Sequence, residues 1–423
     1  MCARWSVHGA VLAGLLLLAL GVAAAGGPVT ITFWHGMSGV LQPAVNELTE
    51  DFNRLNPGIV VTAQYQGTYG ALNQKLIAAV AAGNPPTISQ VFGNWTDQLI
   101  RAGAIVPVER FMRGPQGLSE EEINDILPAL RQANTFNGVM WTMPFNKSLY
   151  LLFYNADLLR EHNLTVPQTW DDLVTAARAL TRQDGGRVVR YGFVVRPTTD
   201  YFLTMLLTNG GDFLAPGGRE VAFNSPAGVE ALQFLVDLVN THKVAYVLPG
   251  FADADFGAGK VAMYFATNPG LAFARAAVAD RFTIGLAPLP YRRKRATILT
   301  GTDLAILARA TPEQQAAAWR YIKFLTSTTG TTRWSLRTFY MPVRRSAVES
   351  TLMKVYLREN PLHKAGLDSL AFARSEPAIA EWQEIRDIIQ DAVEEAILGK
   401  KTAAQALGDA AVRANRLLAQ RPR

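Results

Sequence analysis

One cysteine and five histidines are all that this chain of 423 residues offers for thiol or soft-metal chemistry. The cysteine, Cys2, lies ahead of the first apolar run, whereas a lipidated cysteine would follow it. A mature chain starting after that run would have no disulfide and no Cys-based metal site. His8, His35, His162, His242 and His363 show no metal-ligand spacing. No His-Glu-x-x-His, Gly-x-Ser-x-Gly or Cys-x-x-Cys motif occurs. Gly259-Lys260 approaches a phosphate-binding loop, but Ala254 stands at its leading glycine and Val261 where Ser or Thr is required. No metal and no cofactor are expected, and an enzyme, such as a secreted phosphodiester hydrolase, is disfavoured. A basic stripe is also missing. The formal charge of +6 is spread along the chain, and the one dense run, Arg292-Arg293-Lys294-Arg295, reads as a solvated loop. Nucleic acid is therefore not an expected partner.

Arg4 is the sole charge before Val11–Ala25, an apolar run ending in Ala23-Ala24-Ala25. A charged start, an apolar centre and small residues at the end describe a secretory signal peptide over residues 1–25, which places the protein in the periplasm or outside the cell. Without disulfides, an exported chain must be held by a large core. At 49% hydrophobic it can build one, and its length suits two or three compact units.

Val29–Phe33 alternates as a strand, and Val45, Leu48, Phe52 and Leu55 follow at helical spacing up to Asn56-Pro57-Gly58. A strand over 59–63, a helix carrying Leu72, Leu76, Ile77 and Val80, and a strand over 87–92 continue the rhythm. Further strands are expected over 149–154, 190–195, 284–289 and 297–307. Helices are expected from Thr169, from Ser225-Pro226, and over 313–325, 379–398 and 403–418. Alternating strands and amphipathic helices predict α/β units on a mainly parallel sheet. With no disordered joint, the chain reads as two interleaved α/β lobes: lobe I over 26–145 and 287–330, lobe II over 146–286 and 331–423. A ligand would lie in the cleft between them and be buried by hinge closure. His35, just after the first strand, is a candidate either for local hydrogen bonding or for a supporting role at the cleft.

Several segments, in order, resemble the extracellular solute-binding proteins of carbohydrate-type ABC importers, over nearly the whole chain after the leader. They include Ile31-Thr32-Phe33-Trp34-His35-Gly36-Met37, Phe52-Asn53-Arg54-Leu55-Asn56-Pro57, Pro167-Gln168-Thr169-Trp170-Asp171-Asp172-Leu173 and Phe256-Gly257-Ala258-Gly259-Lys260-Val261-Ala262-Met263. Gly67-Thr68-Tyr69, Pro144-Phe145-Asn146-Lys147-Ser148, Phe339-Tyr340-Met341-Pro342 and Gly399-Lys400-Lys401-Thr402 resemble the glycerol-3-phosphate-binding branch. The resemblance implies a periplasmic-type binding protein, a monomer that delivers a small solute to permease subunits served by a cytoplasmic ATPase. It implies ligand contacts at Tyr69, Ser148, Gly301, Tyr340 and Arg374, with Asn268 as a further candidate and Arg374 as the anion anchor.

On the residues alone, Tyr69 reads equally as a helix cap, Tyr340 as a buried ring, and Arg374 as a surface group beside Glu376. The chain also departs from that branch. Gly93 stands where a glutamate holds glycerol hydroxyls, and Arg196–Tyr201 replaces a tryptophan pair. Phe92, Trp95 and Tyr201 are candidates for replacement stacking faces. Glycerol-3-phosphate, a bulkier glycerophosphodiester and an uncharged sugar all remain open as the solute.

Overall fold

The computed structural model describes residues 27–421. The expected signal peptide and Cys2 lie outside the described residues. The principal strands are β1 (Val29–His35), β2 (Ile59–Tyr65), β3 (Ile88–Val91), β4 (Met143–Asn155), β5 (Arg187–Val195), β6 (Ala245–Val247), β7 (Val261–Thr267), β8 (Ile284–Ala287), β9 (Thr297–Leu307) and β10 (Ala373–Ser375). The longer helices are α1 (Gln42–Leu55), α2 (Tyr69–Ala81), α3 (Gly93–Arg101), α4 (Trp170–Leu180), α5 (Thr199–Thr208), α6 (Pro226–Asn240), α7 (Gly270–Val278), α8 (Pro312–Leu325), α9 (Thr328–Thr338), α10 (Trp382–Ile397) and α11 (Ala403–Ala419).

Two α/β lobes share the strands β4 and β9. In the first, β2, β1 and β3 lie side by side in parallel, and β9 closes against β3 in the opposite sense. In the second, β6, β5 and β7 are parallel, and β4 runs antiparallel to β7 and β8. The mainly parallel sheet expected from the sequence is thus a mixed one. The two longest strands carry the chain between the lobes and pair antiparallel to each other, from Leu299 opposite Leu149 to Leu304 opposite Met143. An irregularity between Thr302 and Asp303 in this pairing adds a residue on the β4 side. Such a bulge re-aims the neighbouring side chains.

Both faces of each sheet are covered, which explains the unbroken apolar runs of β4 and β9. Leu304 and Ile306 enter the core beneath α1 and α8, with Phe33, Phe52 and Tyr321. Their neighbours Ala305 and Leu307 pack on the other face with Trp95 and Leu99 of α3. In the second lobe Tyr150 and Leu152 face Trp170, Phe193 and Trp382, while Leu151 and Phe153 face Phe256 and Tyr264. Fully burying one such large side chain is worth about 1.5–3 kcal/mol, so this period-two alternation fixes the register.

The helix starts follow the expected chemistry. Thr169 and Asp172 form a reciprocal capping box at 3.1 and 2.9 Å. Thr402 and Gln405 do the same for α11, after the turn at Gly399. The C-terminal region is divided between the lobes. Trp334 and Tyr340 pack with the first core, whereas residues Trp382 to Leu418 pack with the second.

Candidate functional site

The strand ends that face the gap between the lobes carry a connected polar floor. Asn146 of β4 donates from Nδ2 to the Tyr69 hydroxyl at 3.0 Å. Its Oδ1 accepts from Gln90 Nε2 at 3.0 Å and from the Thr302 hydroxyl. Gln90 in turn accepts from the Gly36 backbone N–H at 2.9 Å. The hydroxyls of Tyr69 and Tyr340 lie 3.4 Å apart. Burial, together with the adjacent Tyr340 hydroxyl, raises the Tyr69 phenol well above its ordinary value. It stays protonated and available as a donor. Tyr69 is the first residue of α2, whose cap is Thr68 rather than Tyr69.

A cavity of about 330 Å³ lies beside this floor at Gly70, Lys147 and Gly301, and another of about 360 Å³ opens on the floor itself at Gly36, Tyr69 and Tyr340. The first is bordered by Phe92, Trp95, Lys147, Gly301, Trp382 and Arg386, among others. Gly301 has φ +108°, and a Cβ there would lie 2.1 Å from the Asn146 carbonyl oxygen. Only glycine lets the two strands approach this closely at the cavity wall. Lys147 Nζ pairs with Asp303 at 2.5 Å. Arg386, on α10, pairs with Glu376 at 2.5 Å and with Asp200 at 2.6 Å. Burial disfavours the Arg386 charge, but the two carboxylates outweigh it and raise the guanidinium above its ordinary value. Burial likewise pushes Asp200 up. Arg386 and the Tyr150 hydroxyl, which donates at 2.9 Å, more than offset this and hold Asp200 below the usual carboxylate range.

The second cavity is walled by Tyr69, Tyr150, Phe251, Tyr264, Phe273 and Tyr340 among others, with Arg196 and Asp253 as its charged groups. Aromatic walls with a few convergent polar groups are the usual make-up of a small-molecule site.

The structure brings Tyr69, Tyr340, Gly301 and Trp95 to these cavities. Trp95 stands edge-on to Phe92, with ring centres 5.0 Å apart. Ser148 is buried in β4 opposite Thr300 and borders neither cavity. Asn268 is committed to the fold: its Oδ1 accepts from the Leu149 N–H at 2.9 Å and its Nδ2 donates to the Phe339 carbonyl.

Arg374 is the main correction. It is exposed on β10, pairs with Asp212 at 3.1 Å and borders neither cavity. The middle residue of that short strand points away from the cleft, because the next residue, Ser375, and its partner Leu299 take the inward side. The guanidinium that the fold brings to the first cavity is Arg386, twelve residues on. In the sequence it is one polar residue among the apolar positions of α10, with no local signal to mark it. Tyr201 is no stacking face either. It is wholly buried, and its hydroxyl donates to the Phe265 carbonyl at 2.7 Å. His35 is buried, and its Nδ1 accepts from the Met37 N–H at 3.2 Å, which is the local-bonding alternative.

Two lobes joined by crossing strands, with a ligand-sized cleft between them, define a periplasmic-type solute-binding fold. The chain belongs to the bacterial extracellular solute-binding protein family, whose profile matches residues 47–363. It is 27% identical to the sn-glycerol-3-phosphate-binding periplasmic protein UgpB of Escherichia coli K12, over 95% of this chain and 96% of that protein. Among solved structures, UgpB from Mycobacterium tuberculosis in complex with glycerophosphocholine superposes with a TM-score of 0.83 at 24% identity, over 93% and 99% of the two chains. The GacH receptor of Streptomyces glaucescens gives 0.83 at 22%, over 93% and 100%. A Thermotoga lettingae ABC transporter solute-binding protein bound with alpha-D-tagatose gives 0.82 at 25%, over 92% and 100%. The function that goes with this membership is solute binding for an ABC importer, and the family and these relatives are binding proteins rather than enzymes. Among the described residues no helix is long and apolar enough to cross a membrane.

Proposed function

We propose that the protein captures glycerol-3-phosphate or a glycerophosphodiester outside the cytoplasm and hands it, unaltered, to the permease subunits of its importer. The observation that carries this reading is a set of donors divided between two neighbouring cavities, Arg386 and the Gly301 backbone at the first and the Tyr69 and Tyr340 hydroxyls at the second. A guanidinium offers paired donors to anionic oxygens, and the hydroxyls add single ones. The names of the curated relatives point the same way. Under this reading Arg386 exchanges part of its contact with Asp200 and Glu376 for the ligand as the lobes close. Trp95 and Phe92 supply the face that the missing tryptophan pair would have given. The leader is cleaved after Ala25, the mature protein works as a monomer, and closure turns on the crossings in β4 and β9.

A neutral sugar is the second reading. It is favoured by one observation: three carboxylates, Asp200, Asp303 and Glu376, border the first cavity against two cations. Carboxylates accept hydrogen bonds from sugar hydroxyls and repel phosphate. Titration calorimetry of the mature protein with sn-glycerol-3-phosphate, glycerophosphocholine and maltose decides between the two. Binding of either phosphate ester with no response to maltose is expected. Binding of maltose alone overturns the phosphate reading.

A further inference from the structure

Three cationic side chains border the two cavities among the described residues, and two of them are already balanced. Lys147 has Asp303, and Arg386 has Asp200 and Glu376. The third, Arg196, is different. It follows β5 directly, in the loop where the Thr198 N–H bonds the Arg196 carbonyl at 2.8 Å. Its side chain makes no ion pair and no hydrogen bond among the described residues, and its Nε is buried without a partner. A buried polar atom without a partner costs on the order of 1–3 kcal/mol, and in a native structure it calls for a cause.

The carboxylates near Arg196 are committed elsewhere. Asp200 is held by Arg386 and Tyr150. Asp253 accepts from the Tyr264 hydroxyl at 2.9 Å, and its carboxyl is raised by burial, an effect that this hydrogen bond and Arg196 only partly offset. What holds the guanidinium in place is aromatic. It lies 4.6 Å from the ring centre of Phe251 and 5.9 Å from that of Tyr201. Phe251 is 78% exposed, the most exposed of the large hydrophobic residues described, and borders the same 360 Å³ cavity. A cation laid over a ring keeps its edge free for other partners.

We propose that Arg196 is a specificity-determining residue of this chain, a second cationic contact that meets an anionic oxygen of the solute from the aromatic cavity, with Phe251 as the residue that positions it. This rests on the phosphate-ester reading and extends it. The solute thereby gains a charged contact on the second-lobe side of the cleft. A neutral sugar gains little from it.

The test titrates wild type, Arg196→Gln, Arg196→Lys and Phe251→Ala with sn-glycerol-3-phosphate and glycerophosphocholine at two salt concentrations. Wild type is expected to bind at least one ester. Arg196→Gln should weaken that ester by more than tenfold and flatten the salt dependence. Arg196→Lys should recover part of the loss, and Phe251→Ala should lose about threefold. Phe251 is a surface residue, so its variant keeps the test usable should Arg196→Gln fold poorly, and the melting temperature without ligand monitors folding. An ester bound equally by wild type and both Arg196 variants, or an equal salt slope in Arg196→Gln, overturns the Arg196 assignment and leaves the phosphate reading standing. A wild type that binds neither ester overturns both.

Discussion

Arg386 and Arg374 lie twelve residues apart and have opposite surroundings, which makes them a sharp pair to compare. Arg386 borders the cavity between two carboxylates, whereas Arg374 sits at the surface with its charge shared with Asp212. Exposed ion pairs are worth about 0–1 kcal/mol, so losing Arg374 changes little. Arg386→Ala is expected to weaken a phosphate ester by more than about tenfold, since truncating one partner of a desolvated charge pair costs on the order of 2–5 kcal/mol. Arg374→Ala should stay within about twofold of wild type in the same calorimetric titration. His35 supplies a test of a different kind. Burial lowers its imidazole from 6.5 to about 4. Above pH 6.5 the ring is neutral in both folded and unfolded chains. As the pH falls from 6.5 to 4 the unfolded chain takes up the proton first, so stability present above 6.5 is progressively lost. A lowering of that size is worth roughly 3 kcal/mol. His363, lowered by burial to about 3, adds a loss of the same sign. Melting temperature against pH should therefore fall less steeply between pH 6.5 and 4 in His35→Gln than in wild type.

At the scale of single elements, the pairing of β4 with β9 sets the site. Its irregularity between Thr302 and Asp303 lies beside Asn146, Lys147 and Gly301, the residues that join floor to cavity. Gly301→Ala would place a methyl group 2.1 Å from a backbone oxygen at a φ of +108°. Neither strain nor clash can be relieved by a side-chain rotation. The expected result is a loss of stability of at least 1–3 kcal/mol together with lost binding, read by denaturant unfolding and by calorimetry. Much of the element pattern was legible beforehand. The strand over 297–307 and the helix start at Thr169 have the bounds the pattern predicts, because alternation and a capping box are local signals. Helices α3, α5 and α9 were not foreseen. Glycine and asparagine at the start of α3 are poor helix formers, and α5 is buried on almost every side, so it shows no polar face to mark its period.

For the whole molecule, the arrangement of two cores joined by crossing strands predicts motion rather than catalysis. Small-angle scattering with a saturating solute should show a smaller radius of gyration than without it, and an unchanged radius would count against hinge closure. Incubation with glycerophosphodiesters, with and without divalent metals, should return the compound intact. Products accumulating over many turnovers would contradict a pure binding role.

The sequence by itself determined the α/β class, most of the strands and helices, the two-lobed plan and the family. These rest on periodicities, caps and ordered motifs that repeat within a few residues along the chain. It also pointed to Tyr69, Tyr340 and Gly301 through the resemblance to known binding proteins, and to Trp95 as an aromatic face where the chain departs from them. Only the tertiary structure decided which arginines border the cavities. The side a residue of β10 or α10 presents depends on a strand and a helix contributed from far along the chain. The antiparallel centre of the sheet, the Asn146 network reaching from Gly36 to Tyr340, and the lone guanidinium of Arg196 depend in the same way on contacts between distant segments, and local spacing carries no record of them.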